Sequence, residues 1–380
     1  MNRKALYLLI AGLVTVSCHQ KKTTNPSADM SDELTMVVGT YTSGSSEGIY
    51  TFRINQETGE ATPLSSAKLS NPSYLTISSD NKFVYAVSET GDGSEAVSAF
   101  SFNKEKGELQ LVNSQAAAGG DPCYIVTNGK CVVTANYSGG SISIFPVQED
   151  GSILPAADVI AFSGSGPDEK RQSKPHLHCV RFTPDGKYLL ANDLGTDLIY
   201  KFDVNPNAGN NKEAFLTSGT PPAFKVPSGS GPRHITFSPN GKYAYLITEL
   251  SGMVIAFEYN DGMLSEIQSI PADTVGARGS ADIHVSPDGK FLYASTRLQA
   301  DGLAIFSINK TDGTLTRVAH QLTGVHPRNF IITPNGKYLL VASRDKNAIE
   351  VYLRDQETGL LTDIEKDIKV DKPVCLKFAK

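Results

Sequence analysis

Apolar and polar positions change places along this chain in short runs of strand length. YLLAND (188–193), VIAFEY (254–259) and YLLVAS (338–343) are typical. Each run is bounded by Gly, Pro, Asn or Asp, and no stretch keeps a 3.6-residue apolar period over the length of a helix. Pairs of runs are joined by a Ser/Thr-Pro-Asx-Gly-Lys turn or a near variant: SSDNK (78–82), TNGK (127–130), TPDGK (183–187), SPNGK (238–242), SPDGK (286–290) and TPNGK (333–337). Asx-Gly between apolar runs is the strongest short-range hairpin signal. The pattern predicts antiparallel hairpins throughout.

The hairpins repeat. A Pro opens the copies at positions 72, 122, 175, 232, 327 and 373, and Ser280 fills that slot in one more; successive copies lie 46–57 residues apart. A second hairpin sits inside each period, with turns such as KGEL (106–109), DGML (261–264) and DGTL (312–315); one copy carries the insertion NPNAGNNKEAF (205–215) there instead. Seven units of four short antiparallel strands predict an all-β, seven-bladed β-propeller. The chain enters in mid-repeat with MVVGTYT (36–42) and ends on a lone first strand, PVCLKF (373–378). The two ends are therefore expected to share one blade, which closes the ring and removes open sheet edges. One domain over residues 34–380 is expected.

The N-terminus differs in composition from the rest of the chain. Asn2-Arg3-Lys4 is followed by an apolar run from Ala5 to Val16 and then Ser17-Cys18. The run is too short to span a bilayer as a mature helix. A small residue and Cys after such a run resemble a bacterial lipoprotein signal. Residues 1–18 are read as that signal, with Cys18 lipidated, and residues 19–33 as a polar tether. The domain is then expected outside the cytoplasm, held in the bacterial cell envelope through its lipid alone. Hydrophobic content of 40% and charged content of 20% suit a globular domain. The net charge of −5, without a basic block, excludes a nucleic-acid surface. Cys123, Cys131, Cys179 and Cys375 lie in apolar strands with no CxxC pairing and are expected as buried thiols.

Candidate chemistry gathers at one end of the strands. In a propeller, the first strand of each blade lines the channel, so first-strand starts and second-strand ends share one face. The second strands end in Tyr41, Glu89, Asn136-Tyr137, Asp193, Glu249, Arg297 and Arg344. The first strands begin with Tyr74, Cys123, His176 and His178, Arg233-His234, and Arg328-Asn329. The other face carries only turn residues. Polar strand ends also occur where a channel merely holds water. Arginines, histidines and carboxylates converging on one concave mouth nevertheless point to an anion site with acid–base groups. The Gly/Ser-rich connections 162–178 and 226–234 feed this face and have the composition of movable covers.

The phrases GTYTSGSSEGIYTF, PHLHCVRFTPDGKYLLANDLGTD, GSGPRHITFSPNGKYAYLITEL and HPRNFIITPNGKYLLVAS, in that order, resemble the seven-bladed lactonase family. It includes the propeller-type 6-phosphogluconolactonase and the 3-carboxy-cis,cis-muconate lactonising enzyme. The resemblance covers about residues 36–380 and implies hydrolysis of a small anionic sugar-acid lactone without cofactor or metal. It places catalytic groups on His176 or His178, Arg233, Glu249 and Arg297. Glu89, Asn136, Asp193, His234, Arg328 and Asn329 are the expected substrate contacts. No nucleophilic triad is read from the sequence. Metal ligation by His176-x-His178 with Asp193, a non-catalytic binding propeller and a cycloisomerase remain open alternatives. An exported chain departs from a cytoplasmic phosphosugar pathway, so the lactone itself is left open.

Overall fold

The computed structural model describes residues 32–208 and 213–379. The predicted signal, Cys18 and residues 19–31 lie outside the described residues. Seven antiparallel sheets follow one another around a central channel, each with strands a, b, c and d from the inside outwards. Blade 1 is shared by the ends: strand a is Pro373–Ala379, and strands b, c and d are Glu33–Thr40, Gly48–Asn55 and Ala61–Lys68. In blade 7 the outer strand is broken into Leu361–Asp363 and Ile368–Lys369, both paired with strand c.

The a–b turns close by one repeated device. In blade 4 the Thr183 hydroxyl donates to Asp185 Oδ1 (2.6 Å), and the Lys187 amide donates to the same oxygen (3.1 Å). Gly186 between them has φ 69°, which suits Gly. The same bonds recur in blade 5 at Ser238, Asn240 and Lys242. This is why the Ser/Thr-Pro-Asx-Gly-Lys phrase is so visible.

Blades pack face to face through aromatic residues in the first half of strand b. Tyr243 Oη donates to Thr311 O (2.8 Å), and Tyr293 Oη donates to Gly359 O (2.8 Å), each in the c–d turn of the next blade. A Cβ on Gly262 would stand 2.7 Å from the Tyr188 ring, and φ there is 81°. The Asp-Gly in these turns is thus required twice, by the backbone and by the neighbouring ring. The four remaining cysteines are buried and unpaired.

Ring closure rests on the pairing of Met36, Val37 and Val38 with Phe378, Lys377 and Leu376. Leu376 is 1% exposed and packs with Met36, Val38 and Tyr338. Leu376→Ala is expected to lower the urea-unfolding free energy by about 2–5 kcal/mol with an unchanged m-value. A change below about 1 kcal/mol would mean that closure does not depend on this contact.

Candidate active site

The site is made by a repeated irregularity. Directly after the start of strand a, the a–b register slips by one residue in blades 1, 3, 4, 5 and 7. The skipped residues are the apolar Val374 in blade 1 and, in the other four blades, Cys123, His178, Arg233 and Arg328. A bulge re-aims the side chain it carries, and here it sends four side chains to the same mouth of the channel. His178, two residues after His176, holds the position that Arg233 holds one blade later. The i, i+2 rule for a regular strand therefore fails across residues 176–178.

Glu249 stands at the centre, one residue past strand b of blade 5 (Tyr243–Thr248). Its amide donates to Gly231 O (2.8 Å). Its Oε1 accepts from Arg171 Nη2 (2.6 Å), and Oε2 from Arg233 Nε (2.9 Å). Arg297 Nη2 lies 3.4 Å and His178 Nε2 3.9 Å from Oε2. Arg233 and Arg297 are buried, whereas the Arg171 side chain is 38% exposed. Burial alone would raise the Glu249 carboxyl, but the fields of Arg297, Arg233 and Arg171 outweigh it and hold it at about 2. Burial and the neighbouring Arg233 charge bring the Arg297 guanidinium down to about 9.

Arg297 is tied to the backbone: Nε donates to Gly279 O (2.6 Å) and Nη2 to Ser280 O (3.3 Å). Arg233 uses Nε on Glu249 and Nη1 on Ala281 O, and Nη1 also faces His234 Nε2 at 3.3 Å. Arg328 lies over the Tyr41 ring (5.6 Å), and the Tyr41 hydroxyl donates to Glu89 Oε2 (3.1 Å). Burial raises the Glu89 carboxyl against the opposing charge of Arg328. The mouth thus gathers four arginines and two glutamates in a chain whose net charge is −5.

The two histidines differ. His176 Nδ1 lies 3.0 Å from Tyr137 O, an acceptor, so Nδ1 carries the proton and Nε2 the lone pair. Its ring stacks on Tyr137 at 4.5 Å, and Arg171 Nη2 donates to the Tyr137 hydroxyl (3.3 Å). Burial lowers the His176 imidazole pKa. Burial, then the charges of Arg233 and its neighbours, push His178 well below its ordinary value. Both rings are neutral at pH 7.

Two expected contacts face elsewhere. Asn136 gives its amide to Ser141 Oγ (3.0 Å) and Ser143 Oγ (2.8 Å) inside its own blade. Asp193 accepts from the His176 amide (2.7 Å), the Gly195 amide (2.8 Å) and Thr196 Oγ1 (2.6 Å). It positions the His176 backbone. His234 and Asn329 form a layer below the mouth, both bonded to Asp282. Among the described residues, no three His, Cys, Asp or Glu side chains converge as for a metal ion.

Arg171, unforeseen from the sequence, comes from the connection 162–178. That segment is anchored: the buried Gln172 donates through Nε2 to Leu194 O and Asp197 Oδ1, both at 2.8 Å. Asp197 also accepts from the Gly229 and Gly231 amides (2.7 and 2.8 Å). DLGTD and GSGPR are thus parts of one joint that sets Arg171, Arg233 and Glu249 against one another.

The family described as lactonase, 7-bladed beta-propeller matches residues 35–378. The chain belongs to it. A Bacillus subtilis protein named 6-phosphogluconolactonase is 41% identical over 90% of this chain and 97% of its own. A Formosa agariphila protein of the same name is 40% identical, over 90% of this chain and 99% of its own. The crystal structure of a candidate 6-phosphogluconolactonase from Bacteroides fragilis has 68% identity and a TM-score of 0.92, covering 93% of this chain and 99% of that one. The Pseudomonas aeruginosa periplasmic gluconolactonase has 33% identity and a TM-score of 0.85, over 92% and 99% of the chains.

Removing the Glu249 charge leaves buried guanidinium groups uncompensated. Glu249→Gln is expected to cost about 3–5 kcal/mol of stability in urea unfolding. Inorganic phosphate should restore part of that loss and raise the variant's Tm more than the wild type's. A variant as stable as wild type would contradict this picture of the mouth.

Proposed function

We propose that this chain hydrolyses a sugar-acid lactone carrying an anionic group, with 6-phosphoglucono-1,5-lactone the first candidate. The observation that carries the reading is the set of guanidinium groups around one ionised carboxylate, which leaves the mouth with a surplus of buried positive charge. An anion entering it relieves that surplus. The names borne by relatives at 40–41% identity supply the lactone.

Hydrolysis breaks the ring ester between its carbonyl carbon and ring oxygen. Water adds to the carbonyl, the carbonyl oxygen takes negative charge, and the ring oxygen leaves with a proton. In our reading His176 Nε2 accepts the proton of the attacking water, because its tautomer is fixed by Tyr137 O and its ring is half-exposed. The protonated ring then returns that proton to the leaving oxygen. Arg233, whose Nη2 is left over from its protein bonds, and Arg328 stabilise the oxyanion. Arg171, the most accessible guanidinium in contact with Glu249, meets the phosphate. Glu249 keeps the guanidinium groups together; with its pKa near 2 it is a weak base.

The test is hydrolysis of 6-phosphoglucono-1,5-lactone and of glucono-1,5-lactone by residues 34–380, with chelator present and the spontaneous rate subtracted. Turnover of the phosphorylated lactone is expected. Arg171→Ala should raise its KM about 10–100-fold and leave the unphosphorylated lactone nearly unaffected, as for loss of one charged hydrogen bond. His176→Asn should lower kcat by about 10²–10⁴. A base must be unprotonated, and burial lowers this imidazole. The rate should therefore be flat at neutral pH and fall only below about 6.5. Glu249, ionised down to about 2, adds no limb near pH 4–5. Turnover of glucono-1,5-lactone alone would move the assignment to an unphosphorylated substrate. No turnover of either would overturn the reading in favour of a binding propeller.

We also propose export and anchoring through Cys18, on the basic, apolar and Ser-Cys order of residues 2–18. Incorporation of labelled palmitate into the wild type but not Cys18→Ser tests it; equal labelling of both would refute it.

A further inference from the structure

The channel has a second mouth, at the end of the a strands near the a–b turns, and its charge is also unbalanced. Along strand a, alternate residues share a face. Two positions below the layer of Cys179, Asp282 and Cys375 stand Arg181, His284 and Lys377, contributed by blades 4, 6 and 1. All three are half-buried. Tyr74 and Tyr124, from blades 2 and 3, fill the layer above with rings stacked at 3.9 Å. Lys377 Nζ donates to the Tyr74 hydroxyl (3.1 Å) and lies 4.5 Å from that ring's centre. Arg181 lies against the Tyr124 hydroxyl and within electrostatic reach of Tyr74. The blade order 1, 2, 3, 4 therefore sets Lys377, Tyr74, Tyr124 and Arg181 in one arc around the wall of the channel.

Among the described residues, neither Arg181 nor Lys377 forms an ion pair with a carboxylate. The carboxylate of this region, Asp282, is already occupied. Its Oδ1 receives His234 Nδ1 (2.8 Å), and its Oδ2 receives His284 Nε2 (2.9 Å), the Phe330 amide (3.3 Å) and Asn329 Nδ2. Two cations that face the same level of the channel from blades 4 and 1, without a carboxylate partner, concentrate anions there. The layer of Tyr74, Tyr124, His234 and Asn329 separates them from the mouth around Glu249. They are thus a different site, independent of the substrate of the first.

We infer that this second mouth binds a small oxyanion, such as phosphate or a carboxylate, between Arg181 and Lys377. The phenol hydroxyls of Tyr74 and Tyr124 form its floor. A ligand there would touch Tyr124, whose ring meets His234 edge-on at 5.0 Å, and His234 faces Arg233. The second mouth is therefore in physical continuity with the first.

The test is calorimetric titration of the folded chain with inorganic phosphate, and in a parallel arm with gluconate. Wild type, Arg181→Gln/Lys377→Gln and Lys377→Gln alone are compared. The double variant is expected to lose one binding equivalent, its affinity there falling at least about tenfold, while lactone hydrolysis is unchanged. Loss in the phosphate arm identifies an inorganic anion, and loss in the gluconate arm an organic acid. If the double variant does not fold, the same loss is read in Lys377→Gln. Crystals of the wild type soaked in tungstate should show an anomalous peak between Arg181 and Lys377. Isotherms that superimpose in both arms, without such a peak, would overturn the proposal. Should the Glu249 mouth bind no phosphate, wild type would show one equivalent rather than two, and the double variant none.

Discussion

A single carboxylate holds together the arginine-lined mouth of this propeller. Arg233 and Arg297 are buried side by side, an arrangement that self-repulsion would break. Glu249 lies between them and reaches out to Arg171 as well. The Coulomb attraction exceeds the cost of dehydrating the carboxylate, which is why Glu249 stays ionised to about pH 2. The compensation is incomplete by design of the residue set: arginines outnumber glutamates. What remains is an anion-seeking cavity whose donors are already oriented before any ligand arrives.

Holding that cluster in register is the work of two aspartates and a set of bulges. Asp193 and Asp197, four residues apart, cap the loops that deliver His176, Arg171 and Arg233. The bulge in strand a turns His178, Arg233 and Arg328 towards the mouth, while the next residues, His234 and Asn329, pack in the layer below. The rest of the blade is repetitive. Its a–b turns, c–d glycines and strand-b aromatic rings make similar contacts from blade to blade, so the residues around Glu249 sit at the strand ends away from the repeated a–b turns.

Much of this was legible because it is local. An Asx-Gly-Lys turn declares itself in five residues, and its return at a steady spacing declares the ring. Arg233 and Glu249 could be placed on one face because each sits at a strand end. The misplacements have one cause: framing by a single residue. The position equivalent to Glu249 is the residue whose amide bonds back to the start of the blade, which is Tyr137 in blade 3 and Leu194 in blade 4. Asn136 and Asp193 precede those positions by one, and a shift of one flips the side chain to the other face. A bulge leaves no mark in an apolar pattern, so the division of labour between His176 and His178 could not be read from spacing. Arg171 was hidden in the run DEKRQ, which reads as a solvated surface. The buried Gln172 beside it, fixed to a residue 25 positions away, helps to bring that loop over the channel.

We propose that Arg233 and Glu249 work as one unit in lactone hydrolysis. It is tested most directly by a double-mutant cycle on kcat/KM for 6-phosphoglucono-1,5-lactone, using Arg233→Gln, Glu249→Gln and the pair. The account predicts that either single change removes most of the activity and that the double variant loses little more. Losses that simply add, or activity that survives both changes, would contradict it.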